Sequence, residues 1–102
     1  YVANSETMDR DMIARFLAAT EKATQYIVNH PQDSWEIFAA TSKELQDELN
    51  KRAWVDTLPR FALRPTAMDV GRYARFEAFL HDAGLIPSIN DVATIAIDVT
   101  AP

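Results

Sequence analysis

The residues that could carry chemistry are few and scattered. His30 sits at a helix junction before Pro31, and His81 lies far downstream. Neither has a second metal-ligating residue at i+4, so a helical two-histidine metal site is excluded. An imidazole near a helix C-terminus is favoured by the helix dipole whether or not it does chemistry. Arg60 and Arg64 flank Phe61-Ala62-Leu63, and paired guanidinium groups can clamp an anion. The bland reading is that they bridge helix ends or acids on the scaffold. Trp35, Trp54, Tyr26, Tyr73 and Phe76 could line an aromatic pocket, although aromatics at helical spacing usually belong to a core. Asp9-Arg10-Asp11 and the acids from Glu44 to Glu48 lie among basic residues. Lys43 with Asp47 and Glu48 with Arg52 have the i,i+4 spacing of surface pairs. There is no cysteine, so disulfides, thiolate zinc sites and cysteine nucleophiles are absent. No glycine-rich phosphate loop and no G-x-S-x-G elbow occurs. No catalytic constellation, metal site or cofactor motif is visible.

The bulk properties point the same way. The chain has 102 residues, 48% hydrophobic and 25% charged, an ordinary globular composition for one small domain at most. Ten basic residues against 15 acidic ones give a net charge of -5. That argues against a nucleic-acid surface, which needs clustered Lys and Arg. No apolar run approaches the ~18 residues that span a bilayer.

The elements that must position these residues are mostly helical. Only two glycines occur, so tight turns are few. Asn4-Ser5 and Thr7 or Asp9 are start signals for a first helix. Met12, Ile13, Phe16, Leu17, Thr20, Ala23 and Ile27 give it an amphipathic face to about Asn29. Asn29-His30-Pro31 ends it. A short helix from Gln32 to Ala40 follows, with Trp35 and Phe38 inward. Thr41-Ser42-Lys43-Glu44 matches a capping box and opens a third helix from Ser42 to about Thr57, with Leu45, Leu49 and Ala53 as its stripe and Trp54 beside it. Leu58 to Pro65 reads as extended, with Phe61 and Leu63 lying on the core. Thr66-Ala67-Met68-Asp69 starts a fourth helix whose apolar face is Val70, Tyr73, Phe76, Phe79, Leu80 and Ala83. Gly84 stands where a left-handed C-cap is wanted. Ile95, Ile97 and Val99 alternate with Ala96 and Asp98, a weak extended signal. No repeat, linker or domain boundary is visible.

These segments resemble a known pattern. Arg15-Phe16-Leu17-Ala18-Ala19 with Ala23-Thr24-Gln25-Tyr26, then Asn29-His30-Pro31 and Ser34-Trp35, are similar to the end of an ABC-transporter solute-binding protein. Asp47-Glu48-Leu49-Asn50-Lys51-Arg52-Ala53-Trp54, leading into Thr57-Leu58-Pro59-Arg60-Phe61-Ala62-Leu63-Arg64-Pro65, resembles the hydroxymethylpyrimidine-binding members. These form the thiamine-precursor group related to the eukaryotic pyrimidine synthases. Asp69 to Arg75, Phe79-Leu80 and Gly84-Leu85-Ile86 continue the match over nearly the whole chain.

The resemblance implies a type II periplasmic binding fold, two α/β lobes with ligand in the cleft between them. The chain opens Tyr1-Val2-Ala3-Asn4 with no initiator methionine. The expectation is a C-terminal segment, residues 1–102, of such a two-lobe protein: a mostly α fragment of four main helices, one short N-terminal strand at Tyr1-Val2-Ala3 and an extended C-terminal tail. Asn4, just after the presumed crossover strand, is the one binding candidate; the other pocket residues would lie upstream. The implied role is the periplasmic substrate-binding component of an importer for a thiamine pyrimidine precursor, with an ABC permease as partner, no cofactor and no enzymatic activity. The alternatives are a pyrimidine synthase of the same fold and a free-standing helical interaction module. Helix faces shaped to meet absent lobes should stay exposed, so the isolated chain is expected to self-associate as a dimer.

Overall fold

In the computed structural model, which describes residues 1–101, the helices begin where short polar side chains can satisfy their free N–H groups. The Met12 N–H donates to the Asp9 carboxylate at 2.9 Å, and α1 runs Arg10–Asn29. Pro31 occupies the first position of α2, Pro31–Ala39, where its missing N–H costs nothing. Asp47 caps α3, Glu48–Thr57. Asp69 caps α4, Val70–Asp82, and Asp91 caps the single turn α5, Val92–Ile95.

Helix ends follow equally local chemistry. Gly84 adopts φ 72°, after α4. The Leu85 N–H donates to the Leu80 carbonyl and the Gly84 N–H to the His81 carbonyl, both at 2.9 Å. This is the paired Schellman arrangement that a left-handed residue makes possible.

The chain forms two compact units, Tyr1–Pro65 and Thr66 onward, a division for which the sequence shows no linker. In the first, α1 packs on α2, and four aromatics gather beside them. Trp54 stacks on Phe38 at 5.2 Å between centroids, with Trp35 at 5.9 Å and Phe61 at 6.4 Å. The Trp54 indole N–H donates to the Pro31 carbonyl at 3.2 Å, which joins α3 to the start of α2. The Gln46 amide donates to the Ala39 carbonyl at 3.1 Å, closing the other end. Leu17 and Ala39 are the buried apolar residues here.

In the second unit α4 meets α5, and Val92 is buried. Glu77 is only 5% exposed. Its Oε1 accepts the Asn90 backbone N–H at 2.7 Å and the Asn90 side-chain amide at 3.0 Å. The carboxylate thereby holds the loop before α5 against α4.

Several expectations are corrected. Tyr1-Val2-Ala3 is exposed coil, and no strand occurs among the described residues; a strand needs a neighbour for its backbone groups, and none pairs with it there. The third helix begins at Glu48 because Gln46 leaves helical geometry (φ -87°, ψ 21°) after a 3-10 turn, Lys43–Leu45. Thr41 is not the cap: its hydroxyl donates to the Phe38 carbonyl, and Ser42 accepts the Glu44 N–H instead. Leu49 is 75% exposed, and Trp54 supplies the contact face. Leu58 to Pro65 is not uniformly extended; Leu58–Arg60 is a 3-10 turn with Pro59 inside it, and Leu63 is exposed. Ile95 ends α5, and only the residues after it are non-helical. On α4 the expected apolar face is largely open, with Val70, Tyr73, Phe76 and Phe79 exposed.

Three measurements check these contacts. A Cβ at Gly84 meets no atom within 4 Å, so Gly84→Ala carries only the backbone cost of φ > 0, about 1 kcal/mol, read as a lower melting temperature. Glu77→Ala strands two Asn90 donors and costs about 1–3 kcal/mol; NMR should show Asn90 and α5 loosening first. The two Asn50 hydrogen bonds hold the Asp47 carboxyl below its ordinary 3.8. Its contribution is therefore present above the unfolded-state value and lost as pH falls through the folded one. Amide shifts of Glu48 to Lys51 should report α3 fraying in acid, and Asp47→Ser, a cap that does not titrate, should flatten that response.

Candidate functional site

Each unit carries an open groove among the described residues. In the first unit Trp35, Glu36, Ala39, Ala40, Gln46, Asp47, Glu48 and Lys51 surround about 330 Å³. Its rim combines three carboxylates, one ammonium and an indole. The Asp47 carboxylate accepts both the backbone N–H and the side-chain amide of Asn50 at 2.8 Å, so part of its hydrogen-bonding capacity serves the helix start. No group of three His, Cys, Asp or Glu among the described residues could hold a metal ion.

In the second unit Ala67, Asp69, Arg72, Tyr73 and Phe76 line about 480 Å³ at the start of α4. Asp69 accepts the Arg72 backbone N–H at 3.0 Å, so it too serves a cap. The rings of Tyr73 and Phe76 with the Arg72 guanidinium make a wall on which a planar group can stack. Both rings are exposed, so the wall is shallow.

The sequence candidates do not come together into one constellation. Asn4 lies in the coil before α1 and shapes a turn. Its Oδ1 accepts the Glu6 N–H at 2.9 Å, and its carbonyl accepts the Thr7 and Met8 N–H groups at 3.3 and 2.9 Å. His30 stacks on Tyr26 at 4.4 Å, with Nδ1 3.2 Å from the Tyr26 carbonyl. His81 lies 3.5 Å from the neighbouring Asp82. The Arg60 guanidinium donates to the Asp56 carbonyl and so caps the end of α3, the scaffold role that its position suggested. Of the aromatic candidates, Trp35 and Trp54 meet in the cluster under α2, while Tyr26 stays with His30.

Glu77 is the polar residue that sequence reasoning missed. A signal was present: it falls four residues after Tyr73 and three before Leu80, in phase with apolar positions. Its Oε2 is buried and has no hydrogen-bond partner. Oε1 already holds Asn90, so the carboxylate acts as a structural tie.

Among the described residues, no helix is long and apolar enough to cross a membrane. No protein-family model matches the chain, and no solved structure matches it. It is 35% identical over 99 residues to a Haemophilus influenzae protein named "Putative thiamine biosynthesis protein". The match covers 96% of this chain but 32% of that protein. The chain is thus related, at family level, to one part of a thiamine-biosynthesis-related protein and spans about a third of its length.

Proposed function

We propose that this chain is the C-terminal scaffold of a periplasmic substrate-binding protein that delivers a hydroxymethylpyrimidine-like thiamine precursor to an ABC importer. The observation that carries this reading is the identity, sustained over 99 residues, to a protein named for thiamine biosynthesis. The run from Trp54 to Pro65 narrows it through its resemblance to the pyrimidine-binding members. A scaffold role agrees with the side chains. The polar candidates are spent on caps and turns, as Asp47, Asp69, Arg60 and Asn4 illustrate. Apolar side chains of α4 stay uncovered, as expected of a helix that packs on further lobes. Ligand capture in the whole protein would then rest on stacking and hydrogen bonds to a neutral ring in an interlobe cleft, with no covalent step and no cofactor.

The relative's name refers to biosynthesis, which favours a second reading, a pyrimidine-forming synthase of the same fold. The two readings separate in one experiment on a full-length protein containing this segment. Calorimetry with hydroxymethylpyrimidine should give saturable heat with one site and an unchanged ligand on recovery. A different pyrimidine recovered after incubation with a synthase substrate supports the enzyme. Silence with pyrimidines, together with clear binding of a sulfonate or nitrate, overturns both.

A further inference from the structure

Helix α1 carries two seams. Ile13, Leu17, Thr20, Thr24 and Ile27 are buried or half-buried within the first unit. Met12, Phe16, Ala19, Ala23 and Tyr26, with His30 at the C-cap of the helix, are all exposed, with Met12 at 57%, Phe16 at 53% and Tyr26 at 45%. The second set recurs at alternating steps of four and three, the 3.5-residue period of a helix-pairing seam. Its order of sizes is palindromic: large, large, small, small, large, large. The spacing is palindromic too.

We propose that this seam pairs two copies of the chain through antiparallel α1 helices. A palindromic seam is self-complementary under a two-fold axis, which is the requirement for an isologous dimer. The axis falls between Ala19 and Ala23, so Ala19 faces the partner's Ala23. Small residues there let the helix backbones approach closely. Phe16 then faces the partner's Tyr26, and Met12 faces the partner's His30. Each end brings a Tyr1–Phe16 edge contact, 5.2 Å in one chain, against a Tyr26–His30 stack. A parallel pair would instead crowd both Tyr1–Phe16 contacts at one level. Opposed helix dipoles also favour the antiparallel order.

The area is sufficient for a weak dimer. The paired seams span 19 residues, Met12 to His30, or about 27 Å. Their large side chains offer on the order of 600 Å². The alanines, His30 and the stems of Arg15 and Lys22 bring the total to about 1,000 Å², the lower bound of a specific interface. One feature opposes pairing. Lys22 flanks the seam where it meets the partner's Lys22 across the axis, a repulsion that salt should screen.

Sedimentation velocity on the whole chain, from ~10 µM to ~1 mM, should show a reversible monomer–dimer equilibrium strengthened by added salt. Ala19→Glu with Ala23→Glu should weaken association at least ~100-fold while circular dichroism stays unchanged, since both positions are exposed and glutamate is a good helix former. Lys22→Glu mixed with the unmodified chain should associate ~2-fold more tightly than either alone. A wild-type chain that stays monomeric throughout overturns the proposal, and leaves the seam to another partner. So does a dimer that survives both glutamates, which would place the contact on another face such as that of Phe76 and Phe79.

Discussion

Asp9, Asp47, Asp69 and Asp91 each turn a carboxylate oxygen back onto a backbone N–H two or three residues later. Every helix here except α2 begins at one of these contacts, and α2 begins at a proline. The dependence on caps is physical. Leu17, Ala39 and Val92 are the only buried apolar residues among those described, so tertiary packing does little to extend or shorten a helix. Where burial is scarce, the free N–H groups of the first turn decide where a helix can start. The same aspartates contribute to the net charge of -5, which therefore reflects helix architecture as much as solubility.

Between the caps, cohesion comes from a few directional contacts. In the first unit Trp54 serves two purposes, stacking on Phe38 and donating its indole N–H to Pro31. In the second, the Glu77 carboxylate holds Asn90 through two hydrogen bonds. Both are long-range ties made by residues with a polar handle, and each positions a loop or helix end that apolar contact alone would leave loose. The functional consequence is that polar groups are already committed. Asp47 and Asp69, on the rims of the grooves beside α2 and at the start of α4, also cap helices.

Legibility in the sequence varied with the range of the interaction concerned. The breaks at His30-Pro31 and Gly84 were readable because each depends on residues within a turn of one another. Of the starts offered for α1, Asp9 is the cap. Helix α4 begins later than the signal at Thr66, with Asp69, expected in its first turn, as the cap. The third helix was misread because Thr41 to Glu44 and Asp47 both offer starts. The competition was settled by Gln46, whose side chain reaches Ala39 while its backbone leaves the helix. The strand expected at Tyr1 to Ala3 failed for the complementary reason: strand geometry needs a partner's backbone, and no such pairing is present. Asn4 was named as a binding candidate through the family resemblance; its use in a turn with Glu6, Thr7 and Met8 was not legible in the sequence.

Hydrophobic periodicity showed which residues were apolar and on which helices, without showing which of them would be covered. On α1 it merged two adjacent seams that the structure separates, Leu17 inward and Phe16 outward. On α4 it marked Phe76 and Phe79 as core, whereas the buried residue is Glu77. The helix stops at Asn29 and before Gly84, and the family resemblance, were thus determined by the sequence alone, because turn chemistry is a contact between near neighbours. Where several starts competed, as at Thr41 and Asp47, the fold chose between them. Burial was decided only by the tertiary structure, because covering a side chain requires a surface supplied from elsewhere in the fold.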